Sequence, residues 1–303
     1  MLWIPVTVAA AAFQMARNAT QRGLMGDAGP WGATLVRFLF GLPFALLFSL
    51  VAWALAGRVE LHADRIFFGY AVAGALSQVL ATAGLLVSMR RAGFAVATAI
   101  QQSALPAAGV LGWAAFGDAL SAVAWVGVVV ATVGLVALTW PRGAPDPQLE
   151  SAARPVSGAL FGIVSGLMFG FSLNANRHAA LSLEHTHHVF SATGTVTVTQ
   201  AMQAAVLTAV LAVRHPAALE AVVKSWRSSL FAGFCGASAS ALWLFALTLA
   251  PAAQVRAVGV VEAPMAAAAG RRLFKERVSL FKLIAIAVVA AGVVLTALGG
   301  TPG

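Results

Sequence analysis

The chain has 303 residues, of which 60% are hydrophobic and 10% charged, with a mean hydropathy of +0.88. Water-soluble domains run at roughly 45–50% apolar and about 25% charged, so this chain has too few charges to cover a surface facing water, and a soluble domain is excluded. The formal charge of +9, carried mostly by arginine, would suggest nucleic acid in a soluble protein; here it marks loops that stay in the cytoplasm, with the lipid bilayer and no nucleic acid as partner.

A spanning helix needs about 20 mainly apolar residues. On that rule the sequence predicts an all-α polytopic membrane protein of ten transmembrane helices, at 4–22, 31–55, 66–88, 94–114, 122–140, 156–176, 188–213, 228–249, 254–271 and 279–298. The start, "MLWIPVTVAAAAFQ", has no basic n-region or small-residue cleavage site and reads as a retained first span. Joints such as "GLMGDAGP", "GRVELHADR", "RRAG" and "FGDALS" carry turn or charge signals. The longest polar stretch, "PRGAPDPQLESAARP" at 141–155, reads as a cytoplasmic linker between halves 1–140 and 156–303. Cys235, the sole cysteine, lies in an apolar run and reads as buried filler.

Loops after odd-numbered spans hold Arg90, Arg91, Arg142, Arg154, Arg214, Lys224, Arg227, Arg271, Arg272, Lys275 and Arg277. Those after even-numbered spans hold Arg58 and Arg65. The positive-inside rule therefore places the odd loops in the cytoplasm and both termini on the outer, periplasmic side of a bacterial-type inner membrane.

The halves resemble each other. At a shift of about 158 residues, "PAAGVLGWAAFGDALS" (106–121) falls on "PMAAAAGRRLFKERVS" (264–279), pairing Pro106 with Pro264, Gly112 with Gly270, Phe116 with Phe274, Asp118 with Glu276 and Ser121 with Ser279. Further on, Gly134 meets Gly292. With five spans in each half, the second enters the membrane upside down. Two inverted five-helix repeats are an architecture of secondary transporters, which place substrate near the midplane.

The stretch 244–298, with small residues after a short turn, Pro264, Glu276-Arg277-Val278 and a glycine in the last span, resembles the second EamA-type repeat of the drug/metabolite transporter superfamily. The overall pattern is most similar to YddG-type amino-acid exporters. The first repeat departs at Asp118-Ala119-Leu120, where the arginine is missing. The resemblance implies two EamA-like repeats around a central cavity and secondary-active export of small metabolites, foremost neutral or aromatic amino acids. It implies no catalysis and no cofactor.

Polar residues at membrane depth are costly and face a bundle interior or a wet cavity. The candidates are Gln14 and Asn18 in span 1; Ser77 and Gln78 in span 3; Thr98, Gln101 and Gln102 in span 4; Asn174 and Asn176 in span 6; and Thr193, Thr197, Thr199, Gln200 and Gln203 in span 7. Each alone reads equally as an interhelical hydrogen bond. As a set, amides supply donors and acceptors without fixing net charge, which suits a zwitterion; a strongly anionic substrate calls for convergent Arg or Lys. Trp243 lies mid-span, either as a wall for an apolar or cationic group or as lipid-facing packing. Arg17, Arg22 and Arg37 lie near the expected cytoplasmic ends of their spans and are expected to snorkel.

Span 9 carries Arg256 near its outer end and Glu262 deeper. Glu262 reads as a proton carrier or an acceptor for a substrate ammonium, or else as a structural group pairing with Arg37 or with backbone opened near Pro264. Pro106 and Pro264, at matching places in spans 4 and 9, are expected to kink their helices and act as hinges. His185, His187 and His188 in "EHTHH" read as a solvated outer loop and no metal site. No P-loop, HExxH or nucleophile–base signature is present. The alternatives to amino-acid export are export of lipophilic or cationic drugs, a membrane-embedded enzyme and a passive channel.

Overall fold

The computed structural model of the protein describes residues 2–57, 59–101, 121–139, 155–250, 255, 258–275 and 279–299. Every regular element among them is an α-helix. In chain order they are α1 (Trp3–Leu39), α2 (Leu42–Ala56), α3 (Arg65–Ala92), α4 (Phe94–Gln101), α5 (Ala122–Thr139), α6 (Pro155–Leu183), α7 (His188–Arg214), α8 (Pro216–Lys224), α9 (Trp226–Leu249), α10 (Glu262–Leu273) and α11 (Leu280–Gly299). Five helical stretches, 3–56, 65–92, 157–183, 188–214 and 226–249, are long and apolar enough to cross a membrane. Shorter apolar stretches at 122–134 and 280–296 add to them.

The side chains are distributed as lipid requires. α2 exposes Leu46, Leu47, Leu50, Val51 and Trp53, and α5 exposes Val123, Val126, Val129 and Val133, whereas Arg17, Asn18 and Gln21 of α1 are buried. With hydrocarbon as the solvent, apolar surface turns outward and polar groups must find partners inside. The chain is a helical membrane protein.

The glycine-rich stretch 23–30, expected as the first joint, is helical. Only Gly29 leaves helical geometry, at φ 65° and ψ 178°, and Pro30 opens the following segment, where its missing N–H costs nothing. Across this kink Gln21 Nε2 donates to the Ala33 carbonyl at 2.6 Å. The chain interrupts instead at Phe40–Gly41, inside the expected second span, and Pro43 sits in the first turn of α2. The stretch 216–224, expected as loop, is the short helix α8. Its Val222 is buried, with the side chain against Gly32 of α1. Its Lys224–Glu220 pair, 2.7 Å apart and largely exposed, contributes little in water.

The contacts divide the chain into two compact units, Met1–Ala83 with Phe171–Pro251, and Gly84–Gly170 with Ala252–Gly303. Each unit draws on residues from both sides of the expected linker, of which 141–154 lie outside the described residues.

In the first unit, one apolar core joins Leu35, Phe38, Val79, Ala204, Leu207 and Leu211, and a second joins Phe67, Ala71, Ala179 and Leu183. Asp64 starts α3 as an N-cap, its Oδ1 accepting from the backbone N–H of Ile66 (3.0 Å) and Phe67 (2.9 Å). α2 and α7 run antiparallel: Gly41 lies beside Gln200, and Ser49 beside Gly194.

In the second unit, Ala95, Ala99 and Ile100 of α4, Ala263 of α10, and Ile286, Val289 and Val293 of α11 share one core. α5 and α11 pack antiparallel on small residues, with Gly127 facing Thr296, Ala131 facing Gly292 and Gly134 facing Val289. A Cβ at Gly292 would overlap the Ala131 backbone, so this pair is closed by backbone approach, as small-residue interfaces in membranes are. The two helices start alike. Ser121 Oγ accepts from the Ala124 N–H (3.1 Å), and Ser279 Oγ from the Lys282 N–H (3.3 Å).

Between α6 and α7 the loop 184–187 is tied by Glu184, which is 3% exposed. Its carboxylate accepts from the Thr186 N–H (2.9 Å), the Thr186 hydroxyl (2.5 Å) and the His187 N–H. Burial pushes this carboxyl upward, but the Thr186 and His187 bonds and the nearby His187 outweigh it, and its pKa lies below the ordinary value. A depressed folded pKa gives stability that is present above the unfolded pKa, about 4.3, and lost as pH falls through the folded value. Glu184→Gln is therefore expected to lower stability by about 1–2 kcal/mol at pH 7. The gap between variant and parent in thermal unfolding should narrow as pH drops below about 4.

Candidate functional site

The richest set of buried polar side chains lies in the first unit, on α1, α3, α7 and α9. Its centre is a pair of glutamines. Gln203 of α7 donates from Nε2 to Gln78 Oε1 of α3 at 2.8 Å and to the Ala75 carbonyl at 3.1 Å. One helical turn from Gln203, Gln200 is 1% exposed, and neither its amide oxygen nor its nitrogen has a hydrogen-bond partner among the described residues. Gln203 Oε1 is likewise unpartnered. A buried amide without partners costs about 1–3 kcal/mol, so this face is arranged for something other than stability.

The hydroxyls expected beside them are spent differently. Thr193, Thr197 and Thr199 each donate to the carbonyl four residues earlier, at 2.9 Å, and Ser77 donates to Ala73 at 2.6 Å. Such back-bonding within the helix occupies these hydroxyls, whereas the amides of Gln200 and Gln203 keep free capacity, as do the hydroxyls of Thr195 and Thr208 on the same helix.

One turn along α3 from Gln78 stands Thr82, whose hydroxyl donates to the Gln78 carbonyl at 2.9 Å and accepts from Arg37 Nη1 at 3.0 Å. Arg37 Nη2 donates to Ser240 Oγ of α9 at 3.1 Å. Arg37 is 2% exposed and Arg17 1%. Neither snorkels, which corrects the expectation for both. The cause is the length of α1: helix continues past residue 22, so Arg17 is far from any helix end, and the two stems converge on Gly236 of α9. Arg17 also holds Asn18, donating from Nε (3.1 Å) and Nη2 (2.7 Å) to Oδ1.

Gln14 and Asn18 share the buried face of α1, and Trp243 is buried on α9, one turn beyond Ser240. Asn174 falls on the exposed side of α6, while Asn176 is buried and donates to Ser172 Oγ at 3.2 Å. Ser172 in turn donates to the Gly74 carbonyl at 3.0 Å. The second unit holds a smaller group. Gln101 and Thr98 of α4 are buried, as is Glu262, the first residue of α10, at 0% exposure. Gln102, Pro106 and Arg256, together with the Glu276-Arg277-Val278 motif, lie outside the described residues.

Pro264 stands third in α10 rather than in mid-helix. The backbone before it is interrupted. Lacking an N–H, Pro264 leaves the Val260 carbonyl to the Ala263 N–H (2.9 Å), and the Val261 N–H turns to Val258 (3.2 Å). These are three-residue bonds replacing four-residue ones, the local signature of a proline in a helical path.

The residues missed in the sequence are Arg17, Arg37, Thr82 and Ser240. The signal for the arginines was present, since Arg37 stands in "ATLVRFLFGL" with apolar residues on both sides. The serine and threonine carry no signal of their own.

Comparison with known proteins places the fold only. No protein-family profile matches the chain, and no curated protein matches it. One solved structure, described simply as the crystal structure of a protein, is similar over 98% of this chain and 96% of its own, at 15% identity and a TM-score of 0.52. At that identity the likeness concerns the arrangement of helices and carries no activity.

Proposed function

We propose that the protein is a secondary-active carrier of the inner membrane that exports small metabolites, foremost neutral and aromatic amino acids, by alternating access. The observation that carries the proposal is the buried amide set: Gln78, Gln200 and Gln203 lie inside a bundle whose outer faces are apolar, and Gln200 spends neither of its amide atoms within the fold. Groups of that kind at membrane depth belong to a substrate path.

The proposal includes ten spans in two inverted five-helix repeats of EamA type, with both termini outside. Three observations support it. Ser121 and Ser279, paired by the internal match, both cap the helix that follows. Gly134 and Gly292, also paired, both lie in the contact of α5 with α11. Spans 2 and 7, and spans 5 and 10, run antiparallel to one another, as counterparts in inverted repeats must. The interrupted backbone at 258–263 gives one bending point, and Pro106 is its proposed counterpart.

A second reading, export of lipophilic cations, draws on the full burial of Glu262. A carboxylate in that position suits either a proton that drives export or a cationic substrate. Uptake of labelled leucine, phenylalanine and tetraphenylphosphonium into proteoliposomes separates the two readings. Amino-acid uptake above empty liposomes is expected. If Glu262 carries the driving proton, Glu262→Gln abolishes stimulation by a pH gradient and leaves exchange intact. Uptake of the phosphonium alone, lost in Glu262→Gln, would replace amino-acid export with the cation reading.

A further inference from the structure

We infer that Gln200, with Gln203 one turn along α7, determines specificity in the first unit, and that the pair takes the primary carboxamide of a small neutral solute. The inference rests on the carrier reading above and names the substrate class of its buried amides.

Gln200 is 1% exposed. Among the described residues it is the one amide whose oxygen and nitrogen are both enclosed without a hydrogen-bond partner. Its place in the fold accounts for this. A Cβ on Gly41, at the break between α1 and α2, would stand 3.1 Å from Gln200 Oε1 and 3.1 Å from the Gly233 carbonyl oxygen. The amide therefore meets the chain where it is bare of side chains, and Gly41 brings no polar group of its own to bond it. Glycine also lets a backbone come close to a ligand.

Other polar groups of α7 show the contrast. Thr193, Thr197 and Thr199 donate to carbonyls of their own helix. Gln203 Nε2 donates to Gln78 Oε1 and to the Ala75 carbonyl. Gln200 makes no such bond. Methionine or leucine would fill a similar volume without the cost of an enclosed, unpaired amide. A polar side chain at membrane depth that does nothing for the fold is there for a ligand.

The unused atoms define that ligand. Gln200 offers one acceptor and one donor group on a single plane, whichever way the amide is turned. Gln203 adds a second acceptor, Oε1, which is also enclosed and unpartnered. Residues three apart share a helix face, so the two amides belong to one surface of α7. A carboxylate would use the donor alone, and an ammonium the acceptors alone. A primary carboxamide presents two N–H donors and one oxygen in a plane. It pairs its N–H groups with the oxygens of Gln200 and Gln203, and its oxygen with Gln200 Nε2.

The test uses the full chain in proteoliposomes and follows entry of labelled leucine and labelled glutamine. The competitors are glutamine, glutamate and the γ-methyl ester of glutamate, which keeps the carbonyl oxygen and loses both N–H donors. In the unaltered protein glutamine should compete at a concentration about tenfold or more below the ester, because an analogue that leaves buried polar groups unpaired is rejected at least that strongly. Gln200→Met keeps the length of the side chain and removes both hydrogen-bonding atoms. It should bring glutamine to the level of the ester and leave the thermal midpoint at or above that of the parent, since no bond of the fold is lost. Thr199→Val should keep the ratio of glutamine to ester.

Equal competition by glutamine and its ester in the unaltered protein would overturn the inference without reference to any variant. So would a Gln200→Met protein that retains the ratio, whatever its total flux. A midpoint clearly below the parent's would mean that the amide is bonded within the fold, and would overturn it too. Leucine entry that glutamine does not displace would leave the carrier standing and remove the carboxamide site. No entry of leucine or glutamine above empty liposomes would overturn the carrier reading, and this assignment with it.

Discussion

Gly233→Val is expected to leave little folded protein in the membrane. A Cβ at Gly233 of α9 would overlap the Phe40 carbonyl group and lie 2.7 Å from the Gly41 nitrogen. These are backbone atoms at the break between α1 and α2, where the opposing residue is Gly41, itself without room for a Cβ beside the Gly233 carbonyl and Gln200. Overpacking against side chains costs about 1–3 kcal/mol because side chains can move; against main chain on both sides the cost exceeds about 3 kcal/mol, a large fraction of the roughly 5–15 kcal/mol that stabilises a typical domain. The yield of monodisperse protein and its thermal unfolding midpoint measure this. Gly23→Ala and Gly26→Ala are the controls. Nothing lies within 4 Å of a Cβ at either, so alanine there should be neutral, or stabilising by about 0.5–1 kcal/mol through helix propensity.

The second large effect is expected at the amide pair. Gln203→Leu removes the donor to Gln78 Oε1, leaving that buried acceptor unpaired, and removes the second bond to the Ala75 carbonyl, which keeps its bond within α3. The loss of stability should be about 1–3 kcal/mol, and flux should fall more than tenfold if the pair lines the substrate path. Thr199→Val, four residues away on the same helix, removes a hydroxyl that bonds only within α7; it should change both quantities little. Equal loss of flux in the two variants would mean that α7 responds to packing, and that Gln203 has no direct part in transport.

The helices were legible in the sequence because lipid leaves a plain mark: runs of about 20 apolar residues, separated by charge. Two joints, "GRVELHADR" and "RRAG", also fall where helices end, and Asp64 in the first of them caps α3. Two features misled. Gly23, Gly26, Gly29 and Pro30 look like a turn, yet only Gly29 departs from helix, since glycine permits a turn without requiring one. Conversely, the real break at Phe40–Gly41 is hidden in apolar sequence; Gly41 is demanded there by a backbone partner, Gly233, nearly two hundred residues away.

The same distinction governs the site. Gln78, Gln200 and Gln203 could be singled out because an amide in an apolar run is unusual wherever it points. Asn174 has the same signal and is exposed, whereas Asn176, two residues on, is buried, a difference of helix face that the sequence does not settle. The arginines were visible but misassigned: a span ending at residue 22 would put Arg17 within reach of the surface, whereas a helix continuing past it does not. Pro264 was read as a mid-span kink. It stands in the first turn of α10, and the interruption it causes lies just before it.

The claim that most needs testing is that the buried polar set serves a carrier that alternates. The direct measurement is counterflow: proteoliposomes holding the purified chain are preloaded with unlabelled leucine, and entry of labelled leucine is followed against vesicles without preload. A carrier that returns faster loaded than empty gives entry stimulated by preload, and Pro264→Ala, by supplying a four-residue donor to the Val260 carbonyl in place of its three-residue bond from Ala263, should slow the exchange. Entry that is rapid, indifferent to preload and unchanged in Pro264→Ala would contradict the account and indicate a passive pore.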